Sequence, residues 1–361
     1  MLDGGHRVVE MVQERAPRRV LVGSPEPLGV VLEALPLDQQ QVAAGSLDAP
    51  FEAQAAEAGH RRDEGIRLPE RGLERGRLGR ADVENGVLEG HAVMMADMGE
   101  TRGVPVLPRL TFLGHSSVLL ELGGVRVLTD PVLRGHVMHL NRVVPTVPRQ
   151  AWSSIDLVLI SHLHHDHCDL PTLRQLGRAT TLLVPAGAGP FLRKRGFTSV
   201  VELPVGATHV HRSVSVTATF ADHDGRREPF GPRAEAIGFL VTHGTGDDEA
   251  SVYFAGDTDI FDGMTDLHPQ LDVALIPVWG WGPNLGPGHL TPRQAARATQ
   301  LLRPRYAVPV HWGTLFPVGL RPFSRSTLTH PPRAFERAVR GLALDTEVLL
   351  TEPGATVAFT P

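Results

Sequence analysis

A short run near the middle of the chain, residues 161–169, constrains the fold more than any other segment. It contains four histidines and two aspartates and follows an apolar segment, residues 156–160, that is typical of a buried β-strand. Packing does not explain such an ending, because every buried imidazole needs its own hydrogen-bond partner. Neutral imidazoles and carboxylates are the ligands that borderline divalent metals prefer. The run therefore predicts a metal site at the end of a core strand.

The composition of the chain excludes several classes of protein. With 361 residues and a hydrophobic fraction of 42%, the chain can bury a large core. No apolar run approaches the roughly 18 residues that span a bilayer, so we expect no membrane insertion. Residues 1–6 lack the charged-then-apolar layout of a signal peptide, so we expect none. The lone cysteine, Cys168, excludes an internal disulfide, so we expect a cytoplasmic protein. The net charge of -5 gives no overall attraction to nucleic acid, which we do not expect as a partner.

The chain changes character near residue 105. Residues 1–105 are rich in arginine, glutamate and glycine and lack sustained periodicity. We therefore predict that they form a poorly structured, disordered N-terminal extension or an over-long translated start, with a partner-binding extension as the alternative. Residues 106–361 carry regular strand and helix patterns and are predicted to form the folded domain.

Within residues 106–361, many strands alternate with a few helices. Strands are predicted at residues 110–113, 118–122, 125–129, 156–160, 181–184, 213–218, 238–241, 251–255 and 273–277, with closing strands at 347–350 and 356–359; helices are predicted at 171–176, 190–195, 292–302 and 332–340. Gly123 and Gly124 predict a hairpin turn, and Thr291 before Pro292 predicts a helix start. This order favours an α/β or α+β domain of two packed sheets with helices outside.

The pattern His-x-His-x-Asp-His at residues 162–167 can supply ligands to more than one ion. In a tight loop, alternate residues can point to one side while the following aspartate and histidine turn toward a second point. Such a loop can hold two ions about 3.5–4 Å apart, the usual separation in two-metal hydrolases. The remaining ligands should also follow strands, and His223, Asp257 and His311 each do so.

Together with these residues, further motifs make the chain similar to the metallo-β-lactamase-fold superfamily. The supporting motifs are residues 113–117, 129–131, 255–258 and 310–314, in the expected order. Within the superfamily, the chain resembles the branch of ascorbate-6-phosphate lactonase and N-acylphosphatidylethanolamine phospholipase D. The resemblance extends from about Val106 to the C-terminus. It implies a four-layer αββα metallo-β-lactamase sandwich with a metal site at one edge, between the two sheets.

The resemblance also implies a role for each ligand. His162, His164 and His223 would hold the first ion, Asp166, His167 and His311 would hold the second, and Asp257 would bridge both. We expect two divalent metal ions, zinc (Zn2+) first, with manganese or iron as alternatives. Two such ions that share a water lower its pKa toward neutrality, and the resulting hydroxide can attack an electrophilic carbon or phosphorus.

The same resemblance disfavours other reactions. True β-lactamases of this fold often have cysteine where this chain has Asp257, and di-iron redox relatives have glutamate where it has His164. Nucleic-acid-processing relatives insert a large domain between the bridging aspartate and the last histidine. Asp257 and His311 lie too close in sequence for such a domain. Hydrolysis of a small molecule is therefore the favoured reaction.

Residues near the ligands are predicted to support catalysis. Asp166 and His289 are the predicted catalytic residues, with His289 acting as a general acid or a substrate contact. Asp130, Asp169 and His115 are predicted to orient the ligands as hydrogen-bond partners, with packing beneath the site as the alternative for His115.

Substrate specificity is predicted to reside in two segments. Arg226 and Arg227 follow His223 closely and could clamp a phosphate or carboxylate, although a solvated surface pair is an equal alternative. Trp279 and Trp281 belong to a glycine-rich segment that is typical of loops lining a binding cleft. The alternative is that the two rings fill the core.

Two functions of different classes follow from these residues. The first is a dinuclear metal-dependent hydrolase of a small ester, lactone or phosphodiester, which needs the complete ligand set. The second is a metal-binding sensor or interaction protein with a vestigial site, which a missing ligand would favour. The sequence leaves the substrate, the native metal and any oligomerisation open.

Overall fold

The computed structural model describes residues 106–281, 286–319 and 325–359 of the chain. The predicted N-terminal extension, residues 1–105, lies outside these ranges, so the division of the chain into an extension and a folded domain stays a prediction.

The described residues form short strands and helices. In chain order the strands are β1 (Arg109–Gly114), β2 (Ser117–Leu122), β3 (Val125–Thr129), β4 (His136–Val137), β5 (Leu140–Arg142), β6 (Leu157–Leu159), β7 (Thr181–Pro185), β8 (Val200–Leu203), β9 (Thr208–His211), β10 (Val214–Phe220), β11 (Ile237–His243), β12 (Ala250–Phe254), β13 (Val273–Pro277), β14 (Tyr306–Val310), β15 (Leu315–Pro317) and β16 (Glu347–Val348); the helices are α1 (Leu170–Leu176), α2 (Gly189–Arg193), α3 (Pro292–Leu302) and α4 (Arg325–Gly341). The strands predicted up to residue 277 and the predicted helices are all present, although α4 begins earlier than predicted.

The predicted hairpin turn and the predicted start of α3 are both present in the structure. Gly123 and Gly124 form the turn between β2 and β3 with φ of 55° and 72°, a region that glycine adopts without strain. Thr291 caps α3 by accepting from the main-chain nitrogen of Gln294. The predicted closing strand at residues 356–359 is wrong. The segment makes an isolated bridge to the edge of β1 through Thr356, after a turn in which Gly354 has φ of 95°.

Two sheets pack face to face around the main core. The first sheet has the strand order β1-β2-β3-β6-β7-β8, and the second has the order β16-β14-β13-β12-β11-β10-β9. Phe112 and Leu120 of the first sheet share one apolar cluster with Phe239 and Val252 of the second, and all four are fully buried. A small third sheet has the order β15-β5-β4.

Helices cover the outer faces of the sandwich. On β6, Leu157 and Leu159 face the core between the sheets, whereas Val158 packs with Leu173 of α1 and Leu192 of α2. The pleat of a strand produces this alternation, since successive side chains point to opposite faces. Helices α3 and α4 pack on β13 and β14 of the other sheet. The predicted αββα sandwich is confirmed. Among the described residues, no helix combines the length and the hydrophobicity that crossing a bilayer requires.

The sheet topology brings the candidate ligands to one edge of the sandwich. Strands β12, β13 and β14 are parallel, and β10 runs in the same direction as β12 because both are antiparallel to β11. In the other sheet, β3 and β6 are parallel. Asp130, His162, His223, Asp257 and His311 lie in the segments that follow these strands. Residues at the carboxyl ends of strands that run the same way meet at one edge.

Cys168 gives a direct test of the packing beneath α1 and α2. Its side chain is fully buried in the cluster that contains Val158 and Leu173, and burial raises the pKa of the thiol to about 12. The group is therefore a protonated, inaccessible thiol near neutral pH. We expect Ellman's reagent to label no thiol in the folded protein and the single cysteine after unfolding in urea. Rapid labelling without urea would contradict this burial.

Candidate metal centre

Three predicted ligands meet at one point between the sheets. His162 and His164 follow β6, and His223 follows β10. Nε2 of His162 lies 3.0 Å from Nδ1 of His164, and that atom lies 3.1 Å from Nε2 of His223. His162 is fully buried and the other two are half-buried. Ring nitrogens this close together can share one metal ion.

A second group of predicted ligands lies beside the first. Nε2 of His167 is 3.1 Å from Nε2 of His311, and Oδ2 of Asp166 is 3.8 Å from each of these nitrogens. All three side chains are buried or nearly so. The second group therefore offers two imidazole nitrogens and a carboxylate oxygen around one point.

Asp257, in the turn after β12, lies between the two groups. Its Oδ2 atom is 3.0 Å from Nε2 of His167, 3.3 Å from Nε2 of His311 and 4.0 Å from Nε2 of His162. The carboxylate is therefore within reach of both groups, in the position predicted for a bridging ligand. The role of each residue as a ligand stays a prediction.

Hydrogen bonds on the outer side of the rings determine which nitrogen of each imidazole is free. Nδ1 of His167 donates to Oδ2 of Asp130 at 2.7 Å, and Nδ1 of His311 donates to the carbonyl oxygen of Trp279 at 2.7 Å. Because a carbonyl or carboxylate oxygen only accepts, each neutral ring has its proton on Nδ1 and can bind a metal through Nε2. Asp130 makes the hydrogen bond that the predicted orienting role needs, and the role itself stays a prediction.

Gly288 orients His223 in the same way. Its carbonyl oxygen accepts from Nδ1 of His223 at 2.9 Å. Gly288 has φ of +74°, and a Cβ atom added there would lie 2.7 Å from that ring nitrogen. A larger residue would therefore displace the ring. Sequence reasoning missed this residue, for which the only signal was a glycine directly before His289.

Ser161 is a second site residue that sequence reasoning missed. Its main-chain nitrogen donates to Oδ1 of Asp130 at 2.7 Å, and its hydroxyl lies 2.9 Å from Nδ1 of His162. The residue links the end of β3 to the start of the histidine run. Its position directly before His162 was the available signal.

The charges around His167 make a divalent cation a fitting occupant. Burial lowers the pKa of His167, but the charges of Asp257, Asp166 and Asp130 outweigh it and raise that pKa well above its usual range, so the cluster attracts positive charge. Oδ1 of Asp257 is buried and has no hydrogen-bond partner among the described residues, which is unfavourable for a carboxylate. Imidazole nitrogens and carboxylate oxygens together suit zinc, manganese or iron. The residues present therefore fit the predicted metal ions.

The electrostatics favour the metal-binding forms of His162, His223 and Asp257. Burial lowers the pKa of His223 to about 4 and the pKa of His162 well below its usual range. Burial opposes the ionisation of Asp257, but the charges of His167 and His311 outweigh it and hold the pKa of that carboxyl well below its usual range. Metal binding requires neutral imidazoles and ionised carboxylates, so a metal ion would take the place of the proton that these carboxylates hold on His167.

His115 is a buried hydrogen-bond partner of Asp166. Burial lowers the pKa of His115 to about 3, so the ring is neutral, and its Nε2 donates to Oδ2 of Asp166 at 3.0 Å. His115, Asp130 and His311 have φ of 56°, 31° and 61°, in the left-handed region that non-glycine residues rarely adopt. Each such residue costs about 1–3 kcal/mol. Three residues of the site therefore have a strained backbone.

Asp169 does not have the role predicted for it. Its carboxylate accepts from the main-chain nitrogen of Thr172 at 3.1 Å, which caps α1, and from Arg134 at 2.8 and 2.9 Å. The prediction that Asp169 orients a ligand imidazole is wrong, because a helix start and an arginine occupy its oxygens.

The two arginines do not form the predicted anion clamp. Arg227 is buried, and its guanidinium donates to the carbonyl oxygens of Leu163 and Cys168 at 2.7 and 3.0 Å and to Nδ1 of His165 at 2.9 Å. It braces the back of the histidine run, and these three hydrogen bonds direct the buried guanidinium toward the run rather than toward the cavity. Arg226 is exposed, and its Nε atom is 3.8 Å from a carboxylate oxygen of Glu228. It therefore matches the alternative of a solvated surface arginine.

A cavity of about 360 Å³ lies against the candidate ligands, and its lining includes Asp257, His289 and Trp281. Nε2 of His289 is 3.4 Å from Oδ2 of Asp257. Burial lowers the pKa of His289, but the contact with Asp257 outweighs it and raises the pKa to about 9. Trp281 lines the cavity as predicted, whereas the ring of Trp279 packs against the main core, so the cleft prediction is wrong for Trp279.

Known proteins resemble this chain over most of the described domain. The family described as the beta-lactamase superfamily domain matches residues 125–312. A UPF0173 metal-dependent hydrolase of Methanopyrus kandleri is 31% identical to the chain, over 68% of this chain and 97% of that protein. One of Rubrobacter xylanophilus is 32% identical, over 68% of this chain and 94% of that protein. The structure of Igni18, a metallo hydrolase from Ignicoccus hospitalis, is similar with a TM-score of 0.54 and 25% identity, over 70% of this chain and 98% of that one. The chain therefore belongs to the metallo-β-lactamase superfamily, within the UPF0173 family of metal-dependent hydrolases.

Proposed function

We propose that this metal-dependent hydrolase holds two divalent ions and hydrolyses a small ester, lactone or phosphodiester. The proposal is based on one observation. Oδ2 of Asp257 lies within 4.0 Å of Nε2 of His162, His167 and His311, which belong to two separate groups of candidate ligands. A carboxylate that reaches both groups is what a pair of ions needs. Zinc is the proposed metal, with manganese or iron as alternatives.

The proposed ligand roles follow the two groups. His162, His164 and His223 would hold one ion, Asp166, His167 and His311 would hold the other, and Asp257, whose Oδ2 is within reach of both groups, would be shared by them. Divalent ions, when bound, lower the pKa of a water and stabilise negative charge that develops on the substrate. Asp130 keeps His167 in the tautomer that leaves Nε2 free, and Ser161 fixes Asp130 in turn.

His289 is the proposed proton donor to the leaving group. Its Nδ1 atom lies 3.2 and 3.1 Å from the carbonyl oxygens of Gly286 and Pro287, which fixes the ring with Nε2 near Asp257. Because His289 also lines the cavity, a proton on Nε2 is available beside the reacting bond.

The alternative function is a metal-binding sensor with a vestigial site. A missing ligand would favour it, and every predicted ligand is present within the described residues, beside a cavity. The narrower resemblance to ascorbate-6-phosphate lactonase and N-acylphosphatidylethanolamine phospholipase D stays a prediction, and lactone and phosphodiester substrates remain in the proposal because of it.

Elemental analysis of the purified full chain tests the two-ion proposal. We expect about two equivalents of zinc in the wild type and about one in His311→Ala, because only the second group loses a ligand. His165→Ala is the matched control, since His165 belongs to the same run but bonds to Arg227 and to the carbonyl oxygen of Glu228. It should keep the wild-type metal content. A single equivalent in the wild type would contradict the proposal.

Substitution of His289 separates proton donation from metal binding. We expect His289→Gln to lower kcat for a lactone or a phosphodiester by about 10²–10⁴-fold while the metal content stays at the wild-type value. Asp257→Ala, in contrast, should lower both the turnover and the metal content. Unchanged kcat in His289→Gln would exclude His289 as the proton donor.

A further inference from the structure

The part of the cavity farther from the candidate ligands is apolar. Val137, Met138 and Leu140 of the β4–β5 hairpin line it, together with Pro229 and Trp281. Val137 and Leu140 are buried in a small cluster, and the ring of Trp281 packs against that cluster. A volume of about 360 Å³ is within the range of small-molecule sites, which are mostly apolar with a few polar groups.

Met138 is placed to contact a ligand. It lies in the hairpin turn with φ of 49°, and 59% of its surface is exposed although it borders the cavity. A long apolar side chain gains little in this position unless something apolar covers it. Trp281 also presents an aromatic surface to the cavity, and its ring is held edge-on by His139 at 5.3 Å between ring centroids.

The lining of this cavity offers no unpaired positive charge to a substrate. None of the described residues that line it is an arginine or a lysine, and His289 is already paired with Asp257. Arg227 is buried behind the histidine run, and Arg226 is paired with Glu228, a carboxylate that itself lines the cavity. A charged group on the non-reacting part of a substrate would therefore leave water without gaining a partner, which is unfavourable.

We propose that the cavity binds the non-reacting part of an uncharged substrate through an alkyl or aryl group, so that carboxylic esters and lactones are hydrolysed in preference to phosphodiesters. Met138 and Trp281 determine this specificity as the apolar wall that contacts the group. The inference rests on the proposed function, because it narrows the substrate class of the same site.

A series of γ-lactones tests the inference with the zinc-loaded full chain. The alkyl side chain is lengthened one methylene at a time, and each member is matched by a lactone whose side chain ends in a carboxylate. We expect kcat/KM to rise about fourfold per methylene until the cavity is filled, since each buried methylene gains hydrophobic free energy. The terminal carboxylate should lower kcat/KM by about tenfold or more. An equal or higher kcat/KM for the carboxylate members would overturn the inference.

Binding gives a second readout that does not depend on turnover. Cyclopentanones with the same side chains have no bond that hydrolysis can break, and isothermal titration calorimetry measures their Kd. We expect the alkyl ketones to bind about tenfold more tightly than the ketones that end in a carboxylate. Equal binding, tighter binding of the carboxylates, or no measurable binding of the alkyl ketones would each overturn the inference.

Substitutions test whether Met138 and Trp281 cause the dependence of kcat/KM on chain length. Met138→Ser and Trp281→Ser should weaken the rise of kcat/KM with the length of the alkyl chain. Met138→Leu keeps an apolar side chain at that position and should retain the rise. Val210→Ser is the control, because Val210 is 64% exposed on β9 and does not line the cavity. Glu228→Gln leaves Arg226 without its carboxylate partner and should reduce the penalty for the carboxylate members. Chain-length dependence that persists in both serine variants would overturn the assignment to Met138 and Trp281.

The two proposals can fail separately. If no lactone and no phosphodiester is hydrolysed but the alkyl ketones bind more tightly, the proposed function fails and the specificity of the cavity stands. If a phosphodiester is hydrolysed with a higher kcat/KM than every lactone, the inference fails and the hydrolase proposal stands.

Discussion

The close approach of two buried imidazole nitrogens is the constraint on which the rest of the centre depends. Nε2 of His167 and Nε2 of His311 are 3.1 Å apart because each ring uses Nδ1 to donate to a fixed acceptor. These acceptors, Asp130 and the carbonyl of Trp279, follow β3 and β13, which belong to different sheets. The sandwich itself therefore holds the two ring nitrogens close together beside Asp257, whose carboxylate attracts a cation to the same point.

Much of the centre could be predicted because its ligands have a local signal in the sequence. His162, His223, Asp257 and His311 each come shortly after an apolar strand, and a polar, metal-binding residue in that position is conspicuous. The topology then brings these residues together, because strands that run the same way end at one edge of the sandwich. No pairing of distant residues had to be guessed. The strand pattern likewise gave the two sheets, whereas the very short β4, β5 and β15 were too brief to show periodicity.

Residues around the ligands could not be assigned, because their roles depend on burial and on which hydrogen-bonding groups remain free. Arg227 has the charge that an anion clamp needs, but its donors are used by main-chain carbonyls of the histidine run. Asp169 has the carboxylate of an orienting residue, but it caps α1. Trp279 and Trp281 are two positions apart in one loop, and one packs on the core while the other lines the cavity. Composition does not distinguish such pairs.

The chemistry of the centre and its specificity come from different parts of the fold. The candidate ligands follow buried strands of the two main sheets, so a substitution at a ligand also disturbs the packing of the core. The apolar wall of the cavity comes largely from the β4–β5 hairpin, which belongs to the small third sheet and pairs with β15. The turn of this hairpin, where Met138 is 59% exposed, tolerates substitution better than a core strand does. The hairpin can therefore change what the cavity accepts while the ligand geometry stays fixed, and the ligand pattern alone does not reveal the substrate.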